Sequence, residues 1–418
     1  MNASAAHHDA QKALADLRDH LARHDKPIAF FFGAGTSCAV AVPDGGGFKP
    51  LIPAVAGLTT HCKQNAAALG EKYTKAWAAI ETQCAANGQP SNVENILSRL
   101  RMMLSAIGQD DMLAGLNADD LKTLEECVRK SIAGVVTPNL AQLPTDFPHG
   151  HFARWLSKTA RKHPVEIFTV NYDVLFEHAL EAERVPYFDG FVGAYQPFFH
   201  PDSLRRPEAA PGALWSRLWK MHGSVTWRRI EHGGRQRIIR GAPDPGGEMI
   251  LPSFQKYDES RQQPYPAFSD RLTRFLEQDD ALLIVAGFGF GDEHINTLMF
   301  SALENRPRTH VYALQFEELP ETDGLIKRAY QRSNLIVIGP ETGILGSRRG
   351  RWTASESPAF AKGIIDVTKN ENTINCRLNI GGLTSCRSPT QHISARWRLL
   401  PARSCASGCA RTCPQRSC

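Results

Sequence analysis

No stretch of this sequence approaches the ~18 consecutive apolar residues that suggest a membrane-spanning helix. The opening residues, MNASAAHHDAQ, are polar and hold no apolar signal-peptide core. Neither export nor insertion is expected, and the chain reads as cytoplasmic. Cysteine is thinly spread: Cys38, Cys62, Cys84 and Cys127 stand alone in the body, none lies between Cys127 and Cys376, and the other six of the ten fall from Cys376 onward. Isolated thiols of this kind suit a reducing compartment. Carboxylates show no cluster with metal-ligand spacing, which counts against metal-assisted phosphodiester cleavage. Acid and lysine are both absent from residues 376–418, where seven arginines stand. The formal net charge of +5 therefore divides into a slightly acidic body, with 41 basic and 43 acidic side chains in residues 1–375, and a basic tail. The basic excess that usually points to nucleic acid belongs to the tail alone, so no direct nucleic-acid partner is expected.

What is present is an ordinary globular composition, 42% hydrophobic and 22% charged over 418 residues, enough for one large α/β domain or two smaller ones. Leu14, Leu17 and Leu21 share a face of a helix expected over 9–24, which Pro27 stops. The apolar run 28–32 then breaks into Gly33-Ala34-Gly35-Thr36-Ser37, a buried strand followed by a glycine turn. Residues from about 51 to 156 read as a helical insertion. Its clearest member is expected to start at Ser91, with Glu94 completing a capping box and Val93, Ile96, Leu97, Leu100 and Leu104 on one face. Near-continuous apolar runs at 166–170, 214–221, 282–286, 310–315 and 335–338 suit parallel strands covered on both sides. Helical spacing at 173–183 and 294–303 separates them, the pattern of a doubly wound parallel sheet. Beyond residue 340 neither strand nor amphipathic helix is expected, so the fold should end near Pro340 or Thr368.

Four segments could carry chemistry. In the turn after the first strand, glycines would let the backbone approach a pyrophosphate, but the third glycine of a dinucleotide fingerprint is replaced by Cys38, and no strand ending in an acid follows. A conventional dehydrogenase is thereby disfavoured. Thr169-Val170-Asn171-Tyr172-Asp173 ends a strand where open α/β sheets bind ligands; Asp173 could equally be a helix cap, whereas Asn171 has no such structural reason to be there. Lys220-Met221-His222-Gly223-Ser224 puts a histidine at a strand's carboxyl end, suited to general-base work or simply to a structural hydrogen bond. Gly287-Phe288-Gly289-Phe290-Gly291-Asp292 repeats the strand-to-glycine arrangement, with Asp292 available as a cap.

In this order, GAGTS, TVNYD, KMHGS and GFGFGDEH resemble the NAD-binding motifs of the sirtuin-like family. FTVNYDVLFEHAL, MHGSVTW, ILPSFQKY and GFGFGDEHIN are most similar to the sirtuin-like subunit of bacterial anti-phage systems that works beside a HerA-type ATPase. The resemblance spans residues 27–340. It implies a Rossmann-like, sirtuin-like fold, NAD as substrate and cleavage to nicotinamide and ADP-ribose, depleting NAD in abortive infection. His222 would be the catalytic base and Asn171 would orient water and the nicotinamide ribose. Gly33, Ala34, Gly35 and Ser37 would line the pyrophosphate, Asp173 would sit near the nicotinamide pocket, and Gly287, Phe288 and Asp292 match the later cofactor motif. A homo-oligomer and an ATPase partner are also implied, with activity governed by assembly or a trigger.

Protein-deacylating members carry a four-cysteine zinc ribbon after the catalytic histidine, which the absence of cysteine from 128 to 375 rules out here. No metal is therefore expected, and water becomes the acceptor. A deacylase, a non-catalytic NAD or ADP-ribose sensor and a nuclease subunit remain alternatives. The expected organisation is an N-terminal helix (1–26), the NAD-binding domain (27–340) with its insertion, an extension (341–375) and a tail (376–418). The tail's composition of arginine, cysteine, serine and proline fits a GC-rich gene read out of frame from near 373–376, giving an unselected, disordered extension.

Overall fold

The segment Ile28–Phe32 (β1) is buried along its whole length because helices cover both faces of the sheet to which it belongs. In the computed structural model, residues 6–243, 264–353, 365–370 and 373–378 are described; for the last two ranges this covers the backbone only. All fall within one compact unit, Met1–Thr384. The segment ILPSFQKY and almost all of the tail lie outside the described residues.

The central strands are β1, Glu166–Thr169 (β2), Ser216–Lys220 (β3), Leu282–Ala286 (β4), His310–Leu314 (β5) and Leu335–Ile338 (β6). They are mutually parallel in the spatial order β3-β2-β1-β4-β5-β6. Chain order reverses direction between β1 and β4, and this topological switch point is where open α/β sheets bind ligands. Side chains alternate between faces with the period of two that a pleated strand dictates. On β1, Ala29 and Phe31 join one core and Ile28, Phe30 and Phe32 the other.

Helices Ala10–Ala22 (α1), Pro148–Ser157 (α7) and Leu175–Ala182 (α8) cover the Phe30 side through Leu17, Phe152, Trp155 and Phe176. The Phe31 side is covered by Tyr265–Leu276 (α9), Glu293–Asn305 (α10) and Gly324–Gln331 (α11), through Phe268, Leu272, Met299 and Leu325. The chain is thus an α/β protein of Rossmann-like, doubly wound type.

Between the turn after β1 and β2 the insertion forms Val55–Ala68 (α3), Glu71–Ala86 (α4), Val93–Ala106 (α5) and Ala118–Val135 (α6) around a separate core that includes Trp77, Ile96, Leu100 and Leu124. Helix α7, within the range read as insertion, packs on the sheet. The α5 cap also differs from expectation. Asn92 caps it by accepting from the Asn95 amide, while Ser91 donates its hydroxyl to the Glu81 carbonyl.

Several strands lie outside the runs expected from the sequence, among them the antiparallel pairs Ala41–Asp44 with Gly47–Pro50 and Ile365–Asn370 with Thr373–Leu378. Past Pro340, Thr342–Leu345 (β7) and Arg348–Trp352 (β8) extend the sheet antiparallel from β6, and His7–His8 pairs parallel with β8. Of the two expected ends, Pro340 is therefore too early and Thr368 falls inside a strand: β7 is only four residues long, and β8 carries three arginines among its five residues. A further hairpin, Trp227–His232 with Arg235–Arg240, turns at Gly233-Gly234, both at positive φ. Among the described residues no helix is long and apolar enough to cross a membrane.

Candidate active site

The two glycine turns meet at the switch point. Gly33 N–H donates to the Ala286 carbonyl at 3.0 Å and Gly35 N–H to Gly287 at 2.9 Å. A Cβ on Gly33 would lie 2.5 Å from the Gly287 carbonyl oxygen, and one on Gly287, at φ +64°, would lie 2.6 Å from the Thr36 nitrogen. Close backbone packing therefore accounts for these glycines. Gly289 and Gly291, by contrast, have open space around them.

Asn171 reaches under this junction from the end of β2. Its Nδ2 lies 3.0 Å from the Gly33 carbonyl oxygen, 2.8 Å from Ser37 Oγ and 3.2 Å from Thr36 Oγ1. A carbonyl can only accept, so the Gly33 contact fixes which end of the amide carries the hydrogens. Ser37 passes the connection on, donating to Asp173 Oδ2 at 2.7 Å, and Asp173 Oδ1 accepts from the Leu175 amide at the start of α8. One carboxylate of Asp173 thus serves both the first amide of α8 and the hydroxyl of Ser37.

Asp292 is shared in the same way. Its Oδ1 caps α10 by accepting from the His294 and Ile295 amides, while Oδ2 lies 3.1 Å from His222 Nε2. An ionised carboxylate only accepts, so Nε2 carries the hydrogen and a neutral His222 has its lone pair on Nδ1. The Tyr172 ring centre is 6.5 Å from that of His222. The structure therefore joins His222 with Asp292, and Asn171 with Gly33, Ser37 and, through Ser37, Asp173. Ala34 follows Gly33 as the first residue of the one-turn helix Ala34–Cys38 (α2), and the Phe288 ring packs 4.9 Å from Phe31 in the core.

Beside this junction, at the carboxyl ends of β1, β4 and β5, opens a cleft of about 490 Å³, within the range of small-molecule sites. Ala34, Gly35, Thr36, Gly287, Phe288 and Leu314 line it, together with Gln315 and Glu317. Neither Asn171 nor His222 is among its lining residues, although Asn171 lies 3.2 Å from Thr36 Oγ1, whose residue lines it. Gln315 is buried and its Nε2 has no hydrogen-bond partner, so the cleft presents an unsatisfied donor. Cys38, in the place of the third fingerprint glycine, also lines the cleft; burial foremost, aided by Asp173, pushes its thiol up to about 11, so it stays protonated.

Three residues here were not singled out from sequence. Gln315 was read as the last residue of a strand, although a polar side chain ending an apolar run at a sheet's carboxyl edge was the available signal. Lys220, the lysine of KMHGS, is only 2% exposed and donates to the carbonyls of Tyr172 and Asp173 and, at 2.9 Å, to Glu177. It ties the Asn171 loop to the strand that carries His222. Burial raises the Glu177 carboxyl, against the opposing pull of Lys220. His149, 2% exposed with both ring nitrogens unpartnered, packs 4.5 Å from Phe176; burial pushes its pKa down to about 4. Nothing in its sequence context signals this.

Among the described residues no group of three His, Cys, Asp or Glu side chains could hold a metal ion. Residues 165–338, from just before β2 to the end of β6, match the family model of the SIR2-like domain. No curated protein matches the chain. The match supports a sirtuin-like domain over that region, which points to NAD-related activity. β1 and its glycine turn fall outside the match yet lie at the centre of the same sheet.

Proposed function

We propose that the chain is an NAD glycohydrolase, cleaving NAD to nicotinamide and ADP-ribose with water as acceptor. The observation that carries this reading is the His222–Asp292 pair, set beside a glycine junction that Asn171 holds from below. An imidazole oriented by a carboxylate is the usual arrangement of a general base.

The adenosine end of NAD would occupy the cleft beside Gln315 and Glu317, and the pyrophosphate would cross the two glycine turns. The nicotinamide ribose would then reach Asn171 and His222. Nicotinamidium leaves as neutral nicotinamide without needing a proton, and positive charge builds on the ribose anomeric carbon. Water adds there as His222 Nδ1 takes its proton. The hydrogen bonds of Asn171 run through Nδ2, so its Oδ1 would orient the water. Asp292 would hold the ring and stabilise the imidazolium as it forms.

The test is nicotinamide release, followed by chromatography, from NAD and purified chain with no peptide present. Release is expected from the wild type. His222→Ala should abolish it at an unchanged melting transition, and Asn171→Ala, which also removes the hydrogen bonds to Gly33, Thr36 and Ser37, should abolish it in a chain that melts at lower temperature but still folds. Turnover near wild type in either variant refutes the assigned roles, and release only in the presence of an acyl-lysine peptide would make the protein a deacylase. NAD depletion in anti-phage defence, in a homo-oligomer beside a HerA-type ATPase, rests on the sequence resemblance alone.

A further inference from the structure

The opposite edge of the sheet holds a second concave site. At the amino ends of β2 and β3, about 320 Å³ is enclosed by the segment joining α7 to β2, the segment after α8 and the approach to β3. Its ionisable lining is Lys158, Arg161, His163 and Arg184, with Ser157, Thr159 and Ser216 among them, and no aspartate or glutamate among the described residues lines it. In a body whose charges otherwise nearly balance, a concave patch of one sign is unusual.

Arg161 makes this more than a solvated basic surface. It is 9% exposed, and its guanidinium donates to the backbone carbonyls of Leu21 and Arg23. Neither acceptor carries a full charge, and Nε has no partner. Two of the five guanidinium N–H groups are thus used, and among the described residues no carboxylate forms an ion pair with it. Its pKa lies below the ordinary arginine value, chiefly from burial, with Asp25 acting weakly in the other direction. Asp25 is itself engaged by Arg23 at 3.5 Å, and the nearby acid Glu183 by Arg154 at 3.2 Å. A buried cation without a contacting anion is costly, and a bound anion would offset that cost. Arg184 follows the last turn of α8 at φ +54°. Glycine would occupy this left-handed position without strain, and an arginine stands there instead.

We propose that this pocket binds a small phosphate-bearing anion, at the amino ends of the strands and so across the sheet from the NAD cleft. Lys158, His163 and Arg184 would meet the phosphate at the rim, over the fixed charge of Arg161. The enclosed volume takes a phosphate with a modest organic group attached.

The test is calorimetric titration of the full chain with inorganic phosphate, pyrophosphate and AMP in turn, at an ionic strength held constant with potassium chloride. Saturable binding of at least one of them, at one site per chain, is expected, and the best of the three tells whether free phosphate or a nucleotide is the source. The double variant Lys158→Ala/Arg184→Ala removes only exposed side chains and should weaken binding by about tenfold or more. Gln315→Leu, in the lining of the NAD cleft, should leave it unchanged. Absence of saturable binding for all three ligands overturns the proposal. So does affinity unchanged in the rim variant, or affinity lost in the cleft variant, since the anion would then be in the NAD cleft. None of these outcomes depends on whether the chain cleaves NAD.

Discussion

Replacing His149 by methionine should make the protein more resistant to mild acid. The native ring is neutral because burial pushes its pKa from 6.5 to about 4. An unfolded chain protonates this group near the ordinary value, so between the two the unfolded state binds more protons. The stability present above pH 6.5 is accordingly lost as pH falls toward 4. A difference of about 2.5 pKa units corresponds to roughly 3 kcal/mol in full, of which about 2 kcal/mol is lost between pH 7 and pH 5. Methionine has nearly the same volume, keeps a favourable contact with the Phe176 ring and carries no nitrogen to leave unpaired. Urea unfolding midpoints at the two pH values measure the effect. Wild type should lose about 2 kcal/mol more than His149→Met, and at pH 7 the variant should be at least as stable, because two orphaned buried nitrogens are gone. Parallel losses in the two proteins would refute both the burial argument and the assigned direction of the shift.

Other consequences are equally direct. Gly287→Ala places a Cβ against Thr36 at positive φ and should cost more than about 1 kcal/mol in chemical unfolding, whereas Gly291→Ala, in open space, should cost almost nothing. Similar costs at the two positions would rule out close packing as the reason for the first glycine. Lys220→Met leaves Glu177 buried beside unpaired carbonyls and should destabilise by about 3–5 kcal/mol. Adding Glu177→Gln should restore part of the stability but not nicotinamide release. Asp292→Asn keeps a good helix cap but replaces the carboxylate facing His222, so release should fall by about tenfold or more at an unchanged melting temperature. A drop in melting temperature of the same proportion would reduce Asp292 to a cap.

Much of this was legible because buried parallel strands announce themselves. The run Ile-Ala-Phe-Phe-Phe has few alternatives to a strand covered on both faces, and its break into glycines marks the turn. Asn171, His222 and Asp292 could be singled out because each is a polar residue where an apolar run or its glycine turn ends. Their partnerships could not be read, since the pairing of His222 with Asp292 depends on which strands become neighbours. Lys220 was overlooked because a lysine beside an apolar run looks like a solvated edge, and only tertiary packing supplies its three acceptors. β7 was hidden by its length of four residues and β8 by its arginines, and the Asn92 cap by the equally plausible serine before it.

The position of β1 has a consequence for how the protein is made. Its pairing with β4 joins segments about 250 residues apart in sequence, a contact that forms late and slowly. A growing chain on the ribosome therefore has the first glycine turn long before the second, and His222 before the carboxylate that orients it. If the finished protein consumes NAD, synthesis itself is a safeguard: no nascent or prematurely terminated chain lacking Asp292 can assemble the site.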